Sequence, residues 1–511
     1  MEGQGALRAA WAAVPIATLL ALMLGLRWSA ARAGVAGLAV AAALALTVFA
    51  PAPAPQADLR RFAGVLAEGA FTCATILWIL WPALALHHLQ QRSGAFEALR
   101  AAFTRLGGER LPQVLLVGWF AALFFEGAAG FGTPVALAAP LLAGLGIPAV
   151  HAVVLALLGH AAGVSFGALG TPVLTQAALT GLDAVRIAGY TALLHAGLGG
   201  VLMAFFVREL LAAGGAPQGR SRAAGWAALA AALFLVPCLL LAWWLGPELA
   251  TLGAALGGGL VFVAALRASR APAPPASDGA AAGGLVRALW PYAVLVLVVL
   301  LTRALPPVRE LVGQVVLQWR WQEAFQGRMQ PLAHPGTMLF IALVGGALLQ
   351  RRFGQVGGAL AAAARQLLPV TVALLAMLCL SRLMLHAGMV GALEQAAVRL
   401  FGGAWPAAAP AVGALGSFVT GSATASNVLF TTLQVQAAQA LGLPVLVLVA
   451  AQCFGAAIGN VVCPHNVVAG AATVGLAGRE ADILRRTVLP AAVYLLLGGL
   501  AVLWLAGRVA A

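Results

Sequence analysis

Residues 125–134 read Phe125-Glu126-Gly127-Ala128-Ala129-Gly130-Phe131-Gly132-Thr133-Pro134, and they interrupt an apolar run, 112–145, long enough to enter a bilayer deeply. Irregular backbone at membrane depth is costly unless it faces protein or a wet cavity. The interruption therefore points to a site. Its glycines let the chain turn tightly and bring backbone N–H groups close to a ligand. Thr133 is expected to cap the half-helix that follows, with Pro134 in its first position. The N–H groups and dipole at such a helix start favour an anion.

Three more long apolar segments are broken in the same manner: 149–180, 405–441 and 444–475. The break in 405–441 reads Gly416-Ser417-Phe418-Val419-Thr420-Gly421-Ser422-Ala423-Thr424-Ala425-Ser426-Asn427, with five hydroxyls and one amide in twelve residues. These groups can hydrogen-bond a carboxylate and a hydroxyl or coordinate a small cation, although Ser and Thr in membranes also serve packing and capping. The remaining breaks are Ser165-Phe166-Gly167-Ala168-Leu169-Gly170-Thr171-Pro172 and Gly459-Asn460-Val461-Val462-Cys463-Pro464-His465-Asn466. All four are expected to meet near the bilayer centre around one cavity.

The whole chain agrees. Of 511 residues 62% are apolar and 9% charged, against about 45–50% and 25% in soluble domains. That excludes a water-soluble globular protein, a disordered chain, a nucleic-acid-binding domain and a disulfide scaffold. The net charge of +14 comes from 29 arginines without a lysine, and they sit mostly between apolar runs, where basic residues mark the cytoplasmic side. Cys73, Cys238, Cys379, Cys453 and Cys463 have no metal-ligand spacing. Simple spans are expected at 9–26, 33–50, 68–89, 186–210, 223–245, 248–267, 287–304, 335–350, 367–389 and 487–507, the first retained rather than cleaved. The fold class is thus an all-α polytopic membrane protein of about 12–14 membrane segments. Residues 271–284 read as a linker. Residues 306–335 read as the longest polar loop, with Gln318-Trp319-Arg320-Trp321 suited to a membrane interface.

An internal repeat runs through the chain. Gly94-Ala95-Phe96-Glu97, Leu106-Gly107-Gly108 and Gly146-Ile147-Pro148 recur as Gly391-Ala392-Leu393-Glu394, Phe401-Gly402-Gly403 and Gly442-Leu443-Pro444. The chain divides into N-terminal spans (1–67), a first repeat (68–210), central spans and loops (211–366) and a second repeat (367–511). Each repeat holds a span, an amphipathic arm, a hairpin (112–145 or 405–441), a broken crossing helix (149–180 or 444–475) and a closing span. The first arm carries Arg92, Arg100, Arg105 and Arg110, the second Arg399 alone. The copies then have opposite orientation if the hairpins are re-entrant, which places Arg479, Arg485 and Arg486 in the cytoplasm. Inverted repeats with discontinuous helices are the architecture of secondary transporters.

Ionisable groups inside spans are functional candidates. Glu126 is the foremost proton carrier, since a carboxyl in a partly dry cavity can load and release a proton near neutral pH. His160 and His465 titrate in the working range and are further candidates, His195 a weaker one. Arg382 and His386 lie near a span end, where Arg382 either contacts a carboxylate directly or, as the favoured reading, snorkels to the interface. GxxxxGK[ST], HExxH and paired acidic motifs are missing from the sequence, leaving pump ATPases and metalloproteases without their chemistry. A membrane-embedded lipid-modifying enzyme using Glu126, His160 and His465 is the rival class, but it does not explain matched breaks in two repeats.

Residues Phe125–Pro134 resemble the signature of the bacterial L-lactate permease family, and Gly421–Phe430 is similar to its second signature. Val474–Glu480 also resembles the family pattern. Ala423 and Ala425 stand where the family often has asparagine, a departure that bears on substrate range. The resemblance implies proton-coupled uptake of lactate, and often glycolate, across the inner membrane, by a fold with two hairpins and an elevator-like motion.

Together these readings describe a multi-pass carrier in the bacterial inner membrane, not an enzyme, that couples proton entry to uptake of a short 2-hydroxymonocarboxylate. Gly127, Gly130, Gly132, Thr133, Thr420, Gly421, Ser422, Thr424, Ser426 and Asn427 are expected to hold the carboxylate and hydroxyl. Thr171, Asn460 and Asn466 line the same cavity, and Glu126, with His160 or His465, carries the proton. The expected partners are a small organic anion, a proton and the bilayer, with no nucleic acid, metal or cofactor. Oligomeric state is left open, a homodimer being one option. A carrier of another anion such as a dicarboxylate, coupled to sodium or protons, is the alternative.

Overall fold

A backbone in lipid must satisfy its own N–H and C=O groups, and a helix does so within one segment. The computed structural model, which describes residues 2–26, 28–50, 55–94, 110–130, 132–214, 220–269, 279–321, 325–476 and 479–510, is helical almost throughout. The chain opens with α1 (Glu2–Leu24), α2 (Ala30–Leu46) and the long α3 (Pro55–Arg92). Next come α4 (Arg110–Leu115), a π-helical turn (Leu116–Ala121), α5 (Ala122–Ala128) and α6 (Thr133–Gly144). The first crossing segment comprises α7 (Ala149–His160), a 3-10 turn (Ala161–Phe166) and α8 (Gly167–Thr180). Then follow α9 (Ala184–Ala212), α10 (Arg220–Trp244), α11 (Pro247–Ala268), α12 (Gly279–Ala304) and α13 (Pro306–Gly313). A two-stranded hairpin, β1 (Leu317–Trp321) and β2 (Phe325–Met329), precedes α14 (Pro335–Leu349), α15 (Val356–His386) and α16 (Met389–Phe401). The chain ends with α17 (Trp405–Thr420), α18 (Ala423–Ala440), α19 (Val445–Val462), α20 (Pro464–Thr473) and α21 (Glu480–Ala510).

Among the described residues, ten helices are long and apolar enough to cross a membrane. Two expected spans are shorter. α2 has 17 residues and α14 has 15, so at about 1.5 Å per residue they reach roughly 25 and 22 Å, less than a bilayer core of about 30 Å. The expected polar loop 306–335 is instead built: α13 turns 90° from α12, and β1 pairs antiparallel with β2 from Leu317↔Met329 to Trp321↔Phe325. Alternating aromatic and polar residues in Gln318–Trp321 have the period of a strand, which explains the departure from pure helix. Trp319 packs edge-on to Phe71 of α3, with ring centroids 6.1 Å apart, and Phe325 sits 4.6 Å from the His386 ring of α15. The expected basic arm lies outside the described residues apart from Arg92 and Arg110, and most of the expected linker 271–284 does too. The second arm is α16, which carries Arg399 in its last turn.

Glycine sets how closely the inner helices approach. A Cβ at Gly159 of α7 would overlap the Gly118 carbonyl, and one at Gly455 of α19 would overlap the Pro410 carbonyl of α17. Gly159 and Gly455 stand at the same remove from the Gly-X-Pro turns ending at Pro148 and Pro444. Buried polar side chains complete the packing. The Gln176 side-chain amide donates to Thr431 Oγ1 and to the Val449 carbonyl, while that of Gln434 donates to Gln452 Oε1. In apolar surroundings such bonds fix one helix arrangement over others.

Candidate functional site

The first break falls where glycine permits it. α5 ends at Ala128, Gly130 has φ +59° and Gly132 φ +78°; Phe131 lies outside the described residues. Thr133 does not cap α6 as expected. Gly132 is the cap, no side chain bonds the helix start, and the Thr133 hydroxyl donates back across the turn to the Gly130 carbonyl at 2.7 Å. α6 folds back onto α5 and the π-turn, forming a helical hairpin.

The second hairpin turns at Gly421 (φ +72°), with Ser422 capping α18 by accepting from the Ala425 N–H at 3.3 Å. Most of its polar groups are engaged locally. Thr420 donates to the Gly416 and Ser422 carbonyls, Ser426 donates to the Gly413 carbonyl at 2.7 Å, and the Asn427 amide donates to the Pro172 carbonyl at 3.1 Å. Ser426 and Asn427 are fully buried. Ser422 and Thr424 are the hydroxyl residues of this tip that line open space on both of its sides.

The first crossing segment breaks in a less expected way. Ala168 (φ 43°), Leu169 (φ 58°) and Gly170 (φ 80°) form three consecutive left-handed residues inside the protein. For alanine and leucine that conformation costs about 1–2 kcal/mol per residue. It is held by the Thr171 hydroxyl, which donates to the Ala168 carbonyl at 2.6 Å, and by Pro247, which presses on Gly170. Strain of this kind in a buried place marks a position whose geometry matters more than its stability. The second crossing segment opens between α19 and α20 at Cys463, which is extended (φ −69°, ψ 135°) ahead of Pro464.

All four breaks line one small cavity of about 40 Å3. Glu126 and Gly130 come from the first hairpin, Gly167, Ala168 and Thr171 from the first crossing segment, Gly421, Ser422 and Thr424 from the second hairpin, and Asn460 from the second crossing segment. Glu126 is buried, and its Oε1 rests against Gly167, where a Cβ would overlap it. Beyond Gly421 lies a larger, mostly apolar cavity of about 320 Å3, lined by Thr420, Gly421, Ser422, Thr424 and His465 together with α2 and α15. The tip of the second hairpin is therefore the wall between the two.

Other expected site residues lie just outside the small cavity. Gly127 packs its α-carbon against Leu252 of α11. Gly132 faces the Asn466 side chain, whose Nδ2 donates to the Asn460 carbonyl and to Asn460 Oδ1. His160 is fully buried, with Nδ1 bonded to the Ala156 carbonyl at 2.7 Å and Asn460 as its side-chain neighbour. Asn460 thus connects the cavity to both Asn466 and His160. His465 adjoins Gly421 from the side of the larger cavity.

His195 belongs to a closed network. Its Nε2 lies 2.9 Å from Ser165 Oγ and its Nδ1 3.1 Å from Tyr494 Oη, while Ser165 donates to the Cys453 carbonyl at 3.2 Å. One neutral tautomer satisfies every bond, as a structural histidine does. Arg382 does not extend into open space but is mostly enclosed by protein: it lies 3.7 Å from Glu68 of α3 and donates to the Leu179 carbonyl near the end of α8 at 3.4 Å. His386 reaches the other Glu68 oxygen at 3.0 Å. Glu68 was not singled out in the sequence because its partners are remote along the chain, whereas Gly167 and Ala168 carry no polar side chain to signal a role.

Among the described residues, ten bilayer-length helices, two helical hairpins and two broken helices converging on a buried polar cavity define a polytopic membrane transporter. The model of the L-lactate permease family matches residues 8–331 and 323–507. An L-lactate permease of Streptococcus iniae is 30% identical over 72% of this chain and 78% of its own length. The glycolate permease GlcA of Escherichia coli is 27% identical over 81% of each chain. The YdaH transporter of Alcanivorax borkumensis, solved by crystallography, shares the fold at a TM-score of 0.50 and 15% identity, over 88% of this chain and 89% of that one. This chain belongs to the L-lactate permease family. It is accordingly a multi-pass transporter of the bacterial inner membrane rather than an enzyme.

Proposed function

We propose that this protein carries L-lactate, glycolate and related short 2-hydroxymonocarboxylates into the cell together with a proton. The observation that carries the reading is the single cavity to which all four breaks contribute, with Glu126 the one carboxyl in its lining. Relatives named for lactate and for glycolate support the substrate class. The small volume and the lack of any arginine in the lining favour a monocarboxylate over a dicarboxylate. In this reading the start of α18, at Ser422 to Thr424, meets the carboxylate, and the Thr171 and Thr424 hydroxyls meet the substrate hydroxyl. Glu126 takes the proton, with His160 behind Asn460 or His465 beside Gly421 as its relay. The two hairpins are re-entrant and the repeats inverted.

A proton and a monocarboxylate loaded together add no net charge to the site. That lowers the electrostatic cost of moving it past a hydrocarbon layer. The test is uptake of labelled lactate into proteoliposomes under an imposed pH gradient, inside alkaline, compared with an imposed sodium gradient. Accumulation driven by the pH gradient and lost in Glu126→Gln, with lactate–lactate counterflow retained in that variant, is the expected result. Sodium-driven accumulation, or wild-type pH-driven uptake in Glu126→Gln, would overturn the coupling assignment.

A further inference from the structure

A second polar cavity, of about 600 Å3, lies at the far end of α7 from His160 and shares no residue with the cavity between the hairpins. Twelve residues of helix at about 1.5 Å each separate the two levels by roughly 18 Å. One wall is the first turn of α7, Ala149 to His151, whose start carries no side-chain cap. The other is the approach to α21, with Arg479, Asp482, Arg485 and Arg486.

The arginines are not equally engaged. Arg479 donates to Asp482 Oδ2 through Nε at 3.0 Å and Nη2 at 2.8 Å. Arg486 lies 3.4 Å from Glu209 Oε1 of α9, which His151 Nδ1 also approaches at 2.7 Å. Arg485 has no carboxylate partner among the described residues. With Arg479 on Asp482 and Arg486 on Glu209, the Arg485 guanidinium is the charge left over in a concave space, which selects an anion.

The surroundings say which anion. Val488 and Leu489 follow Arg485 by three and four residues, on the same helix face, and are 52% and 51% exposed. A charged group at the mouth of a helix with an apolar stripe directly below it matches a phospholipid: phosphate at the guanidinium, acyl chain along the stripe. A free phosphate has no use for that stripe. We infer that this cavity binds the phosphate of an anionic phospholipid through Arg485 and Arg479, with an acyl chain lying along Val488 and Leu489. The bound headgroup bridges the start of α7 to the start of α21, and so ties the two repeats together at the arginine-rich side.

The experiment is thermal unfolding of the purified full-length chain in nonionic detergent, titrated separately with phosphatidylglycerol, phosphatidylcholine and inorganic phosphate. Phosphatidylglycerol should raise the melting temperature while the other two do not. The double variant Arg479→Gln/Arg485→Gln should need about tenfold more phosphatidylglycerol for the same rise, and Arg485→Lys should stay close to wild type. An equal response to phosphatidylcholine, an equal response to inorganic phosphate, or an unchanged titration in the double variant would each overturn the assignment. Should the double variant not fold, Arg485→Gln alone, examined by native mass spectrometry, should lose the phosphatidylglycerol that the wild type keeps; retention would overturn it equally.

Discussion

The Oε1 atom of Glu126 occupies the space where a side chain at residue 167 would begin, so glycine at 167 is what lets this carboxyl reach the cavity between the hairpins. The two residues come from different broken segments, and their contact ties the first hairpin to the left-handed turn at Ala168. The carboxyl is buried, and its position is fixed by a neighbour that has no side chain.

Gly167→Ala should therefore act through Glu126. The added methyl cannot be accommodated without moving the carboxyl or the turn, and overpacking of this kind costs about 1–3 kcal/mol. Uptake of lactate under a pH gradient should fall at least about tenfold, the equivalent of about 1.4 kcal/mol, while the protein still elutes as a folded species. Gly197→Ala, at a glycine without positive φ and with nothing near the added carbon, is the control for alanine in place of glycine. Equal uptake by wild type and Gly167→Ala would detach Glu126 from its assigned position.

The hydroxyls of the second tip should separate into two groups. Thr424 lines both cavities, whereas the Thr420 and Ser426 hydroxyls are bonded to backbone carbonyls of their own hairpin. Thr424→Val should raise the KM for lactate about five- to tenfold, the loss of one hydrogen bond of about 1 kcal/mol, with little change in melting temperature. Ser426→Ala should do the reverse, lowering the melting temperature while KM stays near wild type, because Gln452 and Gly413 lose a partner in a dry interior. Substrate kinetics and thermal scans on the same preparations distinguish these outcomes.

The breaks were legible in the sequence for a physical reason. Gly130, Gly132 and Gly421 are the residues that adopt positive φ without strain, and they mark the turns in the sequence where the structure has them. Glu126, Thr171, Thr424 and Asn460 could be named because polar side chains inside apolar runs are conspicuous. Ala168 and Leu169 could not, since nothing in their chemistry announces a left-handed backbone. Arg382 was misjudged for a related reason: its partner Glu68 lies on another helix, and a long side chain near a span end reads as snorkelling until that partner is known. The hairpin Leu317–Met329 hid because two five-residue strands inside a polar stretch look like loop.

The Arg382–Glu68 pair yields a stability prediction. Glu68 is buried and Arg382 nearly so, with side chains 9% and 11% exposed, and removing one partner of a buried pair commonly costs about 3–5 kcal/mol because the other charge is left uncompensated. Arg382→Ala should fall toward the lower end of that range, since His386 still reaches Glu68 at 3.0 Å. It should also free the end of α8, where Arg382 holds the Leu179 carbonyl. The double variant Glu68→Gln/Arg382→Gln should recover part of the lost melting temperature, because no charge is then buried alone. A double variant less stable than Arg382→Ala would mean that the packing of the arginine, rather than its charge, holds these helices.

The left-handed turn offers the opposite experiment, one that should stabilise the protein. Ala168 adopts φ 43° and ψ 52°, a conformation that costs alanine about 1–2 kcal/mol and glycine almost nothing. Ala168→Gly should therefore raise the melting temperature, provided the lost methyl leaves no cavity of consequence. That methyl lies at the cavity wall, 3.2 Å from where a side chain at Gly130 would begin. Its removal widens the space beside the first hairpin tip. The expected signature is thus a protein more resistant to heat whose preference shifts toward monocarboxylates larger than glycolate, read as a changed ratio of kcat/KM between the two substrates. Ala168→Val, with a β-branched side chain that tolerates positive φ poorly, should lower both stability and uptake. If glycine at 168 destabilises the protein, the turn is held by the contacts of that methyl and not against its strain.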